Sequence, residues 1–164
     1  MDAIVSVTDD WGIGRNGNLL VRNREDMRRF VRLTMGGTVL MGHSTFLSFP
    51  GGPLKGRRNV VLSRNPNLVI PGAEVFNNVD QALVATSGDE KVWLIGGESL
   101  YRQLLPRCSH VYVTRNHVVV PADAWFPNLD RNQAWVAGEP EGSGTTTAGV
   151  SFDFVTYTRA GERG

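Results

Sequence analysis

The sequence predicts an α/β domain built on a largely parallel sheet, and three patterns carry that expectation. Apolar, β-branched runs alternate with segments of helical period along most of the chain. The runs in GGTVLMG (36–42) and KVWLIGG (91–97) lack in–out alternation and are bounded by glycine, as strands buried on both faces are. Strict alternation appears only near the C-terminus, in SFDFVTYT (151–158), and marks an antiparallel strand. The expectation is one domain over 1–164. Its twisted, mostly parallel sheet has about eight strands, with an antiparallel C-terminal hairpin and about four flanking helices.

The elements follow in order. AIVSV (3–7) is a first strand, closed by the glycine-dense loop TDDWGIGRNGN (8–18). Met27, Phe30, Val31 and Thr34 recur at helical spacing, with Asn23 placed to cap the helix they define. GGTVLMG is the next strand, and HSTFLSF (43–49) a short helix stopped by PGGP. RRNVVLS (57–63) and AEVF (73–76) are strands. NVDQALVAT is a helix capped by Asn78, with Val79, Leu83 and Val84 as its apolar stripe. KVWLIGG, ESLYRQLL and HVYVTRNHV then read as strand, helix and strand. AWVAGE (134–139) and SFDFVTYT form the final hairpin, and GEPEGSGTTTAG (138–149) is its polar loop.

Composition narrows the function. The 164 residues suffice for one well-packed core, and a net charge of +1 provides no global field for nucleic acid. A lone cysteine, Cys108, rules out an internal disulfide and fits a reducing cytoplasm; a packed thiol is the simpler reading, since no base is motif-spaced with it. His43, His110 and His117 lack metal-ligand spacing, so no metal is expected. The opening MDAIVSVTDD reads as neither a signal peptide nor a membrane span. The expectation is a soluble cytoplasmic monomer with a small-molecule substrate.

Three places could carry chemistry. Asp26 falls on the first turn of its helix, at the border of the face formed by Met27, Phe30, Val31 and Thr34. Glu25, Arg28, Arg29 and Arg32 gather on the opposite side. A desolvated carboxylate there could hold a proton near neutral pH; an acid that complements the helix dipole is the plainer alternative. VLMGHST and WLIGGES each set glycine where a strand meets a helix. That geometry either attracts phosphate to free backbone N–H groups or merely permits a tight turn, and neither matches a standard nucleotide fingerprint. Arg57, after the turn in FPGGPLKGRRN, could grip a carboxylate or be an exposed loop cation.

Taken in order, GIGRNGNL, EDMRRF, VLMGHSTF, SFPGGPLKGRRNVVLS, LIGGESLY, YVT and DAWFP resemble the dihydrofolate reductase family over nearly the whole chain. The resemblance implies NADPH-dependent reduction of 7,8-dihydrofolate to tetrahydrofolate, with hydride transfer to C6 and protonation at N5, and sensitivity to antifolate inhibitors. It makes Asp26 the acid of the pterin pocket and Thr114 the hydroxyl that orients it. Ile4 and Ile95 supply carbonyls to the pterin amino group. Val5, Met27, Phe30, Phe49 and Leu54 form apolar walls, and Arg57 clamps the glutamate carboxylate with help from Arg28. For the cofactor it implies Ser6, Ile13 and Gly14, then Gly42, His43, Ser44 and Thr45. It adds Leu62, Ser63 and Arg64 near the 2′-phosphate, and Gly96, Gly97, Glu98, Ser99, Leu100 and Tyr101. The Gly96–Gly97 peptide is expected to be cis.

The chain departs from the family in one loop. Leu20 and Val21 stand where proline and tryptophan are usual, and Arg24 replaces a later proline. Val21 offers neither an indole N–H nor comparable area, and the lost prolines free the backbone. A looser lid with hydride chemistry retained is therefore expected. Arg22 and Arg24 are read as solvated loop charges, with contact to the cofactor or a substrate carboxylate as the alternative. His43 stands where the family often has arginine, and Arg64 is expected to compensate. Two other readings remain open: a reductase of another pterin or aminopyrimidine, and a non-catalytic pterin- or nucleotide-binding protein.

Overall fold

A computed structural model of the chain describes residues 1–161. The strands are β1 (Asp2–Val7), β2 (Gly12–Gly14), β3 (Thr38–Gly42), β4 (Arg58–Leu62), β5 (Glu74–Phe76), β6 (Val92–Gly96), β7 (His110–Asn116), β8 (Ala124–Trp125), β9 (Trp135–Ala137), β10 (Gly142–Thr145) and β11 (Ser151–Arg159). The helices are α1 (Arg24–Thr34), α2 (His43–Leu47), α3 (Val79–Ala85) and α4 (Glu98–Leu104).

One sheet dominates, in the order β10-β11-β7-β1-β6-β3-β4-β5. From β7 to β5 every pairing is parallel, as the unalternated apolar runs foretold. β11 joins β7 antiparallel, so the mostly parallel sheet with four helices and antiparallel C-terminal strands matches expectation. The hairpin itself differs. Gly142–Thr145, expected to be loop, is a strand paired with the first half of β11, while β9 pairs with the second half. Its glycines and Ser143 gave no apolar signal; backbone pairing alone makes the strand. β2 and β8 form a separate two-stranded ribbon.

The period of two along each parallel strand sorts the core onto the sheet's two faces. Ala3, Val5, Val7, Leu40, Val60, Leu94, Val111 and Val113 pack on one face with Leu100, Tyr101 and Leu104 of α4 and Ala82 of α3. Ile4, Val39, Met41, Val61 and Trp93 face the other way, against Phe30 and Leu33 of α1 and Phe46 of α2.

Helix α1 begins where expected: Asn23 is buried and its side-chain oxygen accepts from the Asp26 backbone N–H at 3.1 Å. Its orientation was not foreseen. Met27 and Val31 are exposed, whereas Arg29 and Thr34 are buried with Phe30 and Leu33 partly so. On a wheel of about 100° per residue, the buried arc centres on Asp26 itself rather than on the Met27–Val31 side. Leu33 and Arg29 supply the flank that the apolar stripe missed. The acid therefore faces the sheet squarely.

Candidate active site

The sheet opens beside its central strand. β1 pairs with β7 over its full length, from Asp2 to Val7, but with β6 only at Asp2 and Ala3. Beyond Leu94 the two strands part, and β3 pairing with β6 also shifts register there, skipping from Leu94 to Gly96. Ile4, Val5 and Ser6 thus lie along one lip of the opening and Ile95 and Gly96 along the other. In open α/β sheets, ligands bind in a crevice at the carboxyl ends of strands.

Asp26 reaches this region from α1. The Thr114 hydroxyl of β7 donates to Asp26 Oδ1 at 2.5 Å. Burial pushes the Asp26 carboxyl up from the ordinary aspartate range, while the Thr114 hydrogen bond and the nearby Arg29 cation hold it back. The residue pairing that the resemblance implied is therefore formed, and its electrostatics suit an acid that holds a proton above the usual range.

Around Asp26, Phe30, Phe49, Leu54 and Ile95 join one apolar cluster with Ile4. Val5 points instead into the opposite core, so its side chain does not wall this side of the sheet. Met27 is half exposed (49%) and shares the open surface of α1 with Arg24, Arg28, Val31 and Arg32. Arg57 sits behind the helix end: its Nε donates to the Lys55 carbonyl at 3.0 Å and its Nη1 to Thr34 Oγ1 at 3.1 Å. These bonds leave Nη2 for an incoming anion. Buried Asn59 shapes the approach, accepting from Leu54 N and donating to the Leu54 and Arg57 carbonyls. An asparagine opening a strand carries no sequence signal for this role.

Across the opening, the two strand-to-helix glycine turns face one another. A Cβ on Gly42 would lie 3.9 Å from Gly97 N and 4.0 Å from Gly96 O. The Gly96–Gly97 peptide is cis, as expected. A Cβ on Gly96 would come 3.1 Å from Thr45 Oγ1, and Gly96 has φ of 134°, so a side chain there would be strained on both counts. Neither Gly42 nor Gly97 provides a side-chain cap, which leaves first-turn N–H groups of α2 and α4 for a ligand. His43 and Gly97 are partly buried, and Ser44 and Ser99 exposed, at these turns. Leu62 ends β4, followed by Ser63, whose hydroxyl accepts from Asn65 N at 3.1 Å. Arg64 is exposed and, among the described residues, makes no hydrogen bond or ion pair.

The side chains of three of the expected cofactor residues make contacts within the protein. Glu98 accepts from the Trp125 backbone N–H and lies 4.0 Å from Arg102. Leu100 is buried in the core. Tyr101 is buried too, and its hydroxyl donates to the Ile4 carbonyl at 2.7 Å, so it meets the site through that carbonyl. Ile13 packs against the core and Gly14 accepts from Asp123 N at 2.9 Å, both beside the atypical loop.

That loop is tied at both ends. Arg15 and Asn18 exchange backbone hydrogen bonds of 3.0 Å, and Asn16 N donates to Asp123. Downstream, Asn23 donates to Asn116 at 3.1 Å, and Asn116 in turn donates to Ser6 Oγ and the Val7 carbonyl. Among the described residues, none of Leu19, Leu20, Val21 and Arg22 makes a hydrogen bond.

A parallel sheet split beside its central strand, with a sheltered acid on one lip and a double glycine cradle on the other, defines an α/β enzyme of the dinucleotide-dependent kind. The chain belongs to the dihydrofolate reductase family, whose sequence model matches residues 1–159. It is 41% identical over 132 residues to the dihydrofolate reductase of Mycobacterium leprae, covering 77% of this chain and 80% of that one. It is 36% identical over 156 residues to that of Neisseria meningitidis serogroup A, covering 95% and 96%. The fold superposes with a TM-score of 0.87 on dihydrofolate reductase from Enterococcus faecalis complexed with NADP(H) and RAB-propyl. Sequence identity there is 28%, with 97% of this chain and 95% of that one covered.

Proposed function

We propose that this chain reduces 7,8-dihydrofolate to tetrahydrofolate with NADPH. The observation that carries the reading is the Asp26–Thr114 pair at the sheet opening, set across from the Gly42 and Gly96–Gly97 turns. The residues present fit the cofactor: a side chain at Gly96 would be strained, and α2 and α4 begin without side-chain caps. Gly42, His43, Ser44 and Thr45 would hold one end of the pyrophosphate and Gly96, Gly97 and Ser99 the other, with Ser63 and Arg64 at the 2′-phosphate. NADPH bound there supplies the hydride.

The chain's own groups do the rest. Asp26 pairs with the amino-pyrimidine edge of the pterin and raises proton availability at N5 through water, because burial lets it keep a proton that an exposed aspartate would lose. Thr114 fixes its orientation. The Ile4 and Ile95 carbonyls receive the pterin amino group; Ile4 already accepts from Tyr101 and keeps a second lone pair. Phe30, Phe49 and Leu54 exclude water from the rings, and Arg57 offers Nη2 to the substrate carboxylate.

The whole chain is read as one domain acting as a monomer in the cytoplasm, with antifolate inhibitors competing at Asp26. The buried, unpaired Cys108 suits a reducing compartment, and no helix among the described residues is long and apolar enough to cross a membrane. Following the loss of NADPH absorbance with and without dihydrofolate tests the activity. Turnover only with another pterin, or tight binding of both ligands without turnover, would overturn it.

A further inference from the structure

Arg29 is the residue the fold treats most differently from its sequence pattern. Its side chain is 7% exposed, although it sits in a run of charges on α1. The guanidinium lies over the Phe154 ring at 4.4 Å and the Tyr112 ring at 5.7 Å. Among the described residues its one ion pair is to Glu141, at 3.3 Å, on the segment entering β10. The two rings belong to the platform that holds the acid's own anchor. Phe154 is the register partner of Thr114 across β11 and β7, and Tyr112 is two residues before Thr114 on the same face. Arg29 also follows Asp26 by three residues on one helix, a spacing that leaves Cβ atoms about 5–6 Å apart. A sheltered cation and the sheltered acid therefore share one helix face and one patch of sheet.

We propose that Arg29 is a positioning residue that sets the proton affinity of Asp26, and that Glu141 governs how strongly it does so. This rests on reading Asp26 as the acid of the site.

The charged and titratable groups around the pair are few. Asp26 faces the Thr114 hydroxyl from β7, Arg29 from its own helix, and Tyr101 from α4, whose phenol burial keeps neutral. Arg29 faces Glu141, Tyr112 of β7, and Arg32 one turn further along α1. Between aromatic rings and away from water, a guanidinium is weakly screened and stays protonated. Its field favours the ionised Asp26 and opposes the effect of burial. Glu141 is half exposed and partly neutralises that field. Removing the cation must raise the proton affinity of Asp26; removing the anion must lower it. A purely structural role would not give opposite signs.

The test is a carbon-13 carboxyl NMR titration of Asp26, its signal assigned by its loss in D26N, in wild type, R29M, R29K and E141Q. The Asp26 midpoint should move up by roughly 1 pH unit in R29M, stay near wild type in R29K, and move down in E141Q. An unmoved midpoint in R29M, or shifts of the same sign in R29M and E141Q, would overturn the proposal. Should R29M fail to fold, E141Q and R29K carry the test: a midpoint that falls in E141Q and holds in R29K supports it, and any other pair of results overturns it. The titration needs no turnover, so failure of the folate reading would appear separately, as wild-type protein that titrates but does not oxidise NADPH with dihydrofolate.

Discussion

The Thr114 hydroxyl reaches Asp26 at 2.5 Å across 88 positions of sequence, joining the strand next to the sheet's centre to the first turn of α1. Because the donor is a β-branched hydroxyl on a fully paired strand, its direction is fixed before any ligand arrives. Thr114→Val keeps the shape and removes the donor. Hydrogen bonds to charged groups contribute about 1.5–3 kcal/mol, so kcat/KM for dihydrofolate at neutral pH should fall about 10-fold or more. Steady-state kinetics measure this, and an unchanged value would free Thr114 of the role.

The raised proton affinity of Asp26 has a thermodynamic consequence. Burial makes the folded-state pKa higher than that of the unfolded chain, chiefly through desolvation of the charged form. The ionised carboxylate then costs stability above that folded pKa. The cost shrinks as pH falls through it and vanishes below the ordinary aspartate value, about 4. Asp26→Asn should therefore be more stable than wild type at neutral pH, with the gap closing as the pH is lowered towards 4. Urea unfolding across that range would show it; a variant less stable at pH 7 would contradict it.

Asn116 links Asn23, Ser6 and the Val7 carbonyl inside the protein. Asn116→Val strands a buried amide and a buried carbonyl at once. Stability in urea should drop by about 2–3 kcal/mol. A loss under about 0.5 kcal/mol, the range of ordinary surface changes, would mean that water takes over these contacts without cost.

Arg64 is exposed beside the end of β4 with no partner among the described residues. Arg64→Ala should lower the kcat/KM preference for NADPH over NADH by about 10-fold or more, the worth of a charge-assisted contact. Equal preference in variant and wild type would leave the 2′-phosphate to other donors.

The parallel core was legible because strands buried on both faces read as unbroken apolar runs, as in VLM and VWLI. The helix caps Asn23 and Asn78 were legible because a cap is a local hydrogen bond. β10 was not, since a strand made by backbone pairing against β11 leaves no side-chain pattern. The rotation of α1 was hidden for a related reason. Arg29 is buried by rings 83 and 125 residues away (112 − 29; 154 − 29) and by Glu141, none of which the helix's own periodicity encodes. Asp26, Thr114 and the two glycine turns were joined only through the family's ordered motifs; taken singly, the acid and the turns each had an ordinary structural explanation, and Thr114 carried no signal of its own. Val5 shows the limit of that carry-over, because its side chain packs into the core on the other face of the sheet.

The loop at Leu19–Arg22 is where the sequence leaves the pattern of the family it resembles. Its ends are hydrogen-bonded, and among the described residues its middle makes no hydrogen bond within the protein.

Wild type and Asp26→Asn should accordingly be compared with saturating NADPH and dihydrofolate at neutral pH. A positioned general acid contributes about 10²–10⁴-fold, so the asparagine variant should lose at least about 100-fold in kcat/KM while remaining folded. Equal activity of the two proteins would contradict the assignment of Asp26 as the acid of the site.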